Sequence, residues 1–123
     1  MLFRSEGNDT LVGGAGGDGF VFNAKLDAKK NVDSIVDFSA SEDRIVLAQS
    51  VFSKLALGNL SAGAFRMDGA PTSKNACILY SSSTGALSYD ADGSGKGKAV
   101  LFAVIDPQGL QNGPLTSDQI LVA

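Results

Sequence analysis

The chain has 123 residues, 44% of them hydrophobic, and a formal net charge of −3, which suits one domain with a modest core rather than a disordered tail. Its ten basic residues are scattered and no apolar run approaches the ~20 residues of a membrane span, so neither nucleic-acid binding nor membrane insertion is expected. Histidine is absent, which excludes Ser-His-Asp and Cys-His catalysis and histidine-based zinc sites.

Two nine-residue repeats open the chain. Residues 13–21 fit the nonapeptide G-G-x-G-x-D-x-U-x, where U is a large apolar residue, and residues 4–12 fit its second half. The shared positions hold Gly7, Asp9 and Leu11 in the first repeat and Gly16, Asp18 and Phe20 in the second. Glycines allow tight turns that bring carbonyl oxygens close to a cation, and aspartate adds an anionic oxygen. The repeats therefore predict a calcium site.

Two other interpretations of the glycine run are a plain loop and a dinucleotide-binding turn, since Gly14, Gly16 and Gly19 form G-x-G-x-x-G. The nucleotide fingerprint needs a helix after the glycines and a β/α alternation later. Here the strand-like residues 20–22 follow instead, so the nucleotide interpretation fails, and two repeats in phase favour calcium over a plain loop.

The N-terminus predicts that the chain is the C-terminal piece of a longer protein. Residues 1–4 contain no apolar secretion signal, and the sequence starts inside a repeat. A stack of such repeats needs roughly three or more to bury its faces. Further nonapeptides are therefore expected upstream of Met1.

Beyond the repeats, the pattern predicts short strands joined by polar turns. Candidate strands lie at residues 34–38, 44–47, 76–81, 86–90, 99–105 and 120–122. Residues 82–85 have the composition of a hairpin turn, whereas residues 50–55 and 61–65 read as single helical turns, with Ser61 as a cap for the second. Cys77, the single cysteine, lies in an apolar run and is interpreted as a small buried hydrophobe. The whole predicts an all-β fold, a β-sandwich with a parallel repeat stack at its N-terminal end.

A second candidate metal loop follows the fourth of these strands, residues 86–90. Residues 90–95 match the first half of an EF-hand loop, with oxygen ligands at Asp90, Asp92 and Ser94 and glycine at the sixth position. The twelfth position is Leu101 rather than glutamate, and no flanking helices are predicted. Turn composition favours a polar hairpin turn here, with metal binding as the alternative.

These residues resemble the C-terminal RTX (repeats-in-toxin) domain of bacterial proteins exported by type I secretion, as in serralysin-type proteases. The matching segments are residues 4–21, 31–38 with 43–47, 85–90 and 118–122. The resemblance implies a short parallel β-roll over residues 1–38 that runs into a β-sandwich over residues 39–123 within a single domain.

In such a roll, loops eighteen residues apart stack on one edge and share an ion. The resemblance then implies that residues 13–18 meet residues 31–34, with Asp18 and the Gly14 and Gly16 carbonyls completed by Asp33 and Asp37. Solvation on the wet face of a strand is the alternative role for Asp33 and Asp37. The first loop, residues 7–9 with Asp9, should meet residues 22–27 with Asp27, where glycines are missing, as they are at Arg4 and Ser5.

The function that the resemblance implies is a non-catalytic, calcium-binding module that folds on extracellular calcium. Its last sixty or so residues carry an export signal that an ABC transporter complex recognises, so the protein is expected to be secreted by a bacterium. An adhesive or carbohydrate-binding sandwich is the alternative, although Tyr80 and Tyr89, the two tyrosines, both fit core positions. A paired-carboxylate hydrolase finds no support, since nothing places two carboxylates across a pocket.

Overall fold

The computed structural model describes residues 2–3, 7–14, 16–23, 26–27, 29, 31–69, 74–93, 98–111 and 113–123. These residues form strands and two short 3-10 helices, Ala62–Ala64 and Ser117–Gln119, which confirms the all-β prediction. The strands are β1 (Leu2–Phe3), β2 (Thr10–Leu11), β3 (Gly19–Phe22), β4 (Asp33–Ile35), β5 (Arg44–Leu47), β6 (Gly58–Asn59), β7 (Phe65–Met67), β8 (Cys77–Tyr80), β9 (Ala86–Asp90), β10 (Val100–Ile105) and β11 (Ile120–Val122).

The first five strands alternate between two sheets. Sheet A has the order β1-β3-β5-β11-β6, and sheet B has the order β2-β4-β10-β9-β8-β7. β3, β4 and β5 each run parallel to the strand two before them, so the chain coils from one sheet to the other and back. β10 and β11 extend the same parallel pairing, on β4 and β5 respectively. The later strands β10 and β11 therefore continue, one in each sheet, the parallel stack that the N-terminal repeats begin.

The other half of sheet B is built around a hairpin. β8 and β9 pair antiparallel through the turn at residues 82–85, and β10 pairs antiparallel with β9. Gly85 has a φ of 80°, which a non-glycine residue rarely adopts, and its N–H donates to the Ser81 carbonyl at 2.7 Å. The hairpin predicted from the turn composition is confirmed.

One hydrophobic core fills the space between the sheets. Phe102 of β10 lies at its centre, with its ring 5.4 Å from that of Phe22 and 5.1 Å from that of Phe52, both edge-on. Tyr89 packs edge-on against Phe52 as well, and Cys77 is buried as predicted. Aromatic pairs in this geometry add to the burial of their apolar area. The core joins residues from the coiled N-terminal segment to residues from the hairpin.

Local structure differs in detail from the two predicted helical turns. In the first, the Phe52 N–H donates to the Ala48 carbonyl at 2.9 Å, which forms a single i→i−4 turn that begins before the predicted residues 50–55. Ser61 precedes the first 3-10 helix, but its side chain makes no capping hydrogen bond, so its predicted capping role is wrong. Before the second 3-10 helix, Thr116 and Gln119 instead form a reciprocal capping box. No helix among the described residues is long and apolar enough to cross a membrane.

Candidate metal site

The loop between β2 and β3 stacks on a different segment from the one predicted. The amide N–H groups of Gly13 and Gly14 donate to Asp37 at 2.9 and 2.8 Å, and that of Asp18 donates to Asp43 at 2.9 Å. The prediction that this loop meets residues 31–34 is therefore wrong. Its neighbour is the segment 36–43, between β4 and β5.

The cause is one long connection. Leu11 and Phe20 occupy equivalent strand positions nine residues apart, but Phe20 and Ile35 are fifteen residues apart. Leu2 still pairs with Phe20, eighteen residues later, whereas Phe20 pairs with Ile45, twenty-five residues later. Extra residues between β3 and β4 thus shift every later contact of this coil, although the strands stay in parallel register.

The opposite edge is shifted in the same way. The Gly7 N–H donates to Asn31 Oδ1 at 2.6 Å, and the Asp9 N–H donates to Asp33 Oδ1 at 2.9 Å. The loop at residues 7–9 therefore meets residues 29–34, and the predicted contact with residues 22–27 is wrong. Asp27 instead accepts the Lys29 N–H at 2.9 Å, within the turn that leads to Asn31. Arg4 and Ser5 lie outside the described residues.

One carboxyl oxygen of the Gly13–Asp18 loop has no hydrogen-bond partner. Gly14 and Gly16 have φ values of 79° and 86°, as the tight turns of the motif require. Asp18 Oδ2 is buried without a hydrogen-bond partner, and it lies so close to Gly13 that a Cβ there would be 2.7 Å from it. A buried carboxyl oxygen without a partner is costly, and a divalent cation is a partner of the right charge and hardness. A divalent cation such as calcium would therefore satisfy Asp18 Oδ2.

Asp37 and Asp43 are arranged differently from Asp18. Both oxygens of Asp37 accept loop amides, and the buried Asp43 uses Oδ1 for Asp18 N–H and Oδ2 for Ser39 N–H, the latter at 2.8 Å. Asp43 lies in the family-matching segment 43–47, but no site role was predicted for it from the sequence. A usable signal was its position, because Asp18 and Asp43 each precede the first residue of a sheet A strand, and those strands pair in register.

The Asp90–Asp92 loop is only partly described, because Ser94 and Gly95 lie outside the described residues. Asp90 is buried, and its Oδ1 accepts the Asp92 N–H at 3.3 Å. Burial, followed by the hydrogen bond to the Asp92 carboxyl, raises the pKa of Asp90. Within the described part of the chain, no three histidine, cysteine, aspartate or glutamate side chains group closely enough to hold a metal. A ligand role for Asp90 and Asp92 stays a prediction.

Asp90→Asn is expected to raise the melting temperature at neutral pH in the presence of chelator. A raised pKa means that ionised Asp90 destabilises the fold, so its stabilising contribution is complete only below about 3.8 and is lost as pH rises through the folded-state value. Asparagine removes this penalty, and the gain should disappear in acid. Thermal unfolding followed by circular dichroism measures this, with Asp106→Asn as control, since Asp106 accepts the Gln108 N–H in a separate turn. A lower melting temperature at neutral pH would contradict the prediction.

Comparison with protein families supplies one match. The family model described as Peptidase M10 serralysin C terminal matches residues 3–105, which include both coil edges and the hairpin. No curated protein matches the chain.

Proposed function

The chain belongs to the Peptidase M10 serralysin C-terminal family, the RTX calcium-binding domain family, and we propose that it is a non-catalytic, calcium-binding module of a larger secreted protein. One observation carries this proposal: the buried, unpartnered Asp18 Oδ2 in a glycine loop with two left-handed residues. The ligands would be Asp18 and the carbonyl oxygens of Gly14 and Gly16.

Calcium supplies the positive charge that neutralises the acidic loop and links its turns. Extracellular calcium modules typically bind at ~10⁻⁴–10⁻³ M, so such a site stays empty in the cytosol and fills outside the cell. Binding to the folded chain alone then adds to folding stability. The physical consequence is a chain that stays loose before export and becomes compact after it.

The remaining predicted ligands are less well supported. Both oxygens of Asp37 accept loop amides, which gives it a structural role, and Asp9, Asp27 and Asp33 lie on the opposite edge from Asp18. A carbohydrate-binding function gains no support from the tyrosines, because Tyr80 and Tyr89 are both buried in the core. Calcium binding by the Gly13–Asp18 loop remains the function that the geometry supports best.

Asp18→Ala tests the site. The substitution removes the unpartnered oxygen, so calcium affinity measured by isothermal titration calorimetry is expected to fall at least tenfold, the equivalent of ~1.4 kcal/mol, about one lost ligand or hydrogen bond to a charged group. Asp106→Asn, remote from the loop in sequence, should bind like the unsubstituted chain. Equal affinity for Asp18→Ala and the unsubstituted chain would rule the site out.

We also propose that the C-terminal residues carry the export signal for an ABC transporter complex of a bacterial type I system. The supporting pattern is an aspartate, Asp118, followed by the aliphatic strand β11. β11 is held between β5 and β6, with Ile120 and Val122 buried. Recognition of these residues must therefore precede folding.

A further inference from the structure

A repeated contact joins the first turn of the coiled segment, residues 7–18, to the next turn, residues 31–43. Side-chain oxygens of residues 31–43 accept backbone N–H groups of residues 7–18 at sequence separations of 23 to 25 residues. The donor and acceptor pairs are Gly7 with Asn31, Asp9 with Asp33, Gly13 and Gly14 with Asp37, and Asp18 with Asp43. The same kind of contact therefore holds the turns of residues 7–18 against those of residues 31–43 on both edges.

On the edge that holds Asp18, these hydrogen bonds fix both ends of the Gly13–Asp18 loop. Asp37 accepts two consecutive amides where the chain enters the loop, and Asp43 accepts the Asp18 amide where it leaves. Asp43 is itself fixed, because its second oxygen accepts the Ser39 N–H inside its own turn. Hydrogen bonds to carboxylates are stronger than neutral ones, so these contacts set the orientation of the peptide planes.

We propose that Asp37 and Asp43 are positioning residues that fix the ends of the Gly13–Asp18 loop in its ion-binding shape and are not ligands themselves. This inference rests on the proposed calcium function. Their oxygens are used by amides, whereas Asp18 Oδ2 is left for the ion. A flexible, glycine-rich loop loses much conformational entropy on ordering, and anchoring its ends lowers the part of that cost that falls on calcium binding.

The test uses Asp37→Asn and Asp43→Asn, since an amide keeps one acceptor oxygen but turns the other into a donor that opposes an N–H. Amide hydrogen exchange is measured in saturating calcium, and calcium affinity is measured by calorimetric titration. The number of Eu³⁺-bound waters is measured from luminescence lifetimes, with Eu³⁺ in place of calcium. Asp18→Ala is the control for a ligand, and Asp106→Asn is the control for a remote carboxylate.

For Asp37→Asn, faster exchange is expected at the Gly13 or Gly14 amide, together with roughly tenfold weaker calcium binding and an unchanged number of Eu³⁺-bound waters. Asp43→Asn should do the same at the Asp18 and Ser39 amides. Asp18→Ala should raise the number of bound waters, because water replaces its oxygen. Since Asp43 is buried and its replacement costs stability, the half-buried Asp37 gives the decisive variant.

Two results would overturn the inference. One is a rise in Eu³⁺-bound water for Asp37→Asn like that for Asp18→Ala, which makes Asp37 a ligand. The other is weaker calcium binding with unchanged exchange at Gly13 and Gly14, which removes the anchoring role. If the unsubstituted chain binds no calcium, the proposed function fails, and the exchange rates still decide whether Asp37 and Asp43 anchor the loop.

Discussion

Removing residues 118–123 is expected to abolish export and to prevent stable folding at the same time. The deletion takes away β11, which pairs with β5 on one side and β6 on the other, so sheet A is split. It also removes Ile120 and Val122 from the core, both essentially inaccessible to solvent. Truncating one such side chain to alanine costs about 2–5 kcal/mol, against a total stability of about 5–15 kcal/mol for a typical domain.

The two effects of the deletion can be separated with a core variant that keeps the tail. Phe102→Ala is expected to lower stability by about 3–5 kcal/mol, because Phe102 lies between Phe22 and Phe52 in the core. In a host with a type I export system, this variant should still be secreted, because the proposed signal would be read before folding. Full secretion of the truncated chain would contradict the proposed signal, and a native circular dichroism spectrum for it would contradict the role of β11.

Calcium is expected to raise the melting temperature of the chain substantially. At about 10 mM calcium and the affinity typical of extracellular modules, one ion adds ~1.4–2.7 kcal/mol to the free energy of unfolding. For a domain of this size that is a shift of ~5–10 °C. The shift should shrink in Asp18→Ala, to ~0.4–1.4 kcal/mol for tenfold weaker binding, because the unpartnered oxygen is gone.

The strand pattern was largely predictable from the sequence. β5, β9 and β11 have the predicted bounds, because each is a short run with inward apolar residues between polar turns. The nonapeptide also predicted the Gly13–Asp18 loop, because its glycines allow the tight turns that the structure has there. Short strands and tight turns depend mainly on residues that are adjacent in the sequence, so the sequence predicts them.

The contacts between coils were not predictable in the same way. The residues added between β3 and β4 move the partner of Asp18 from residues 31–34 to Asp43. The one sequence signal for that pairing is the position of both aspartates immediately before a strand. Gly85 and Gly109 show the same limit: a Cβ at either would lie 1.7 or 1.8 Å from a backbone oxygen of a distant segment. Such close approaches are set by how strands stack, which a single sequence does not display.

The most direct test of the account is limited proteolysis combined with thermal unfolding of the unsubstituted chain, once in excess calcium and once in excess chelator. Calcium bound beside Asp18 predicts rapid cleavage and a melting temperature several degrees lower in chelator. Identical protease resistance and identical melting in both solutions would contradict the claim that an ion at this loop stabilises the fold.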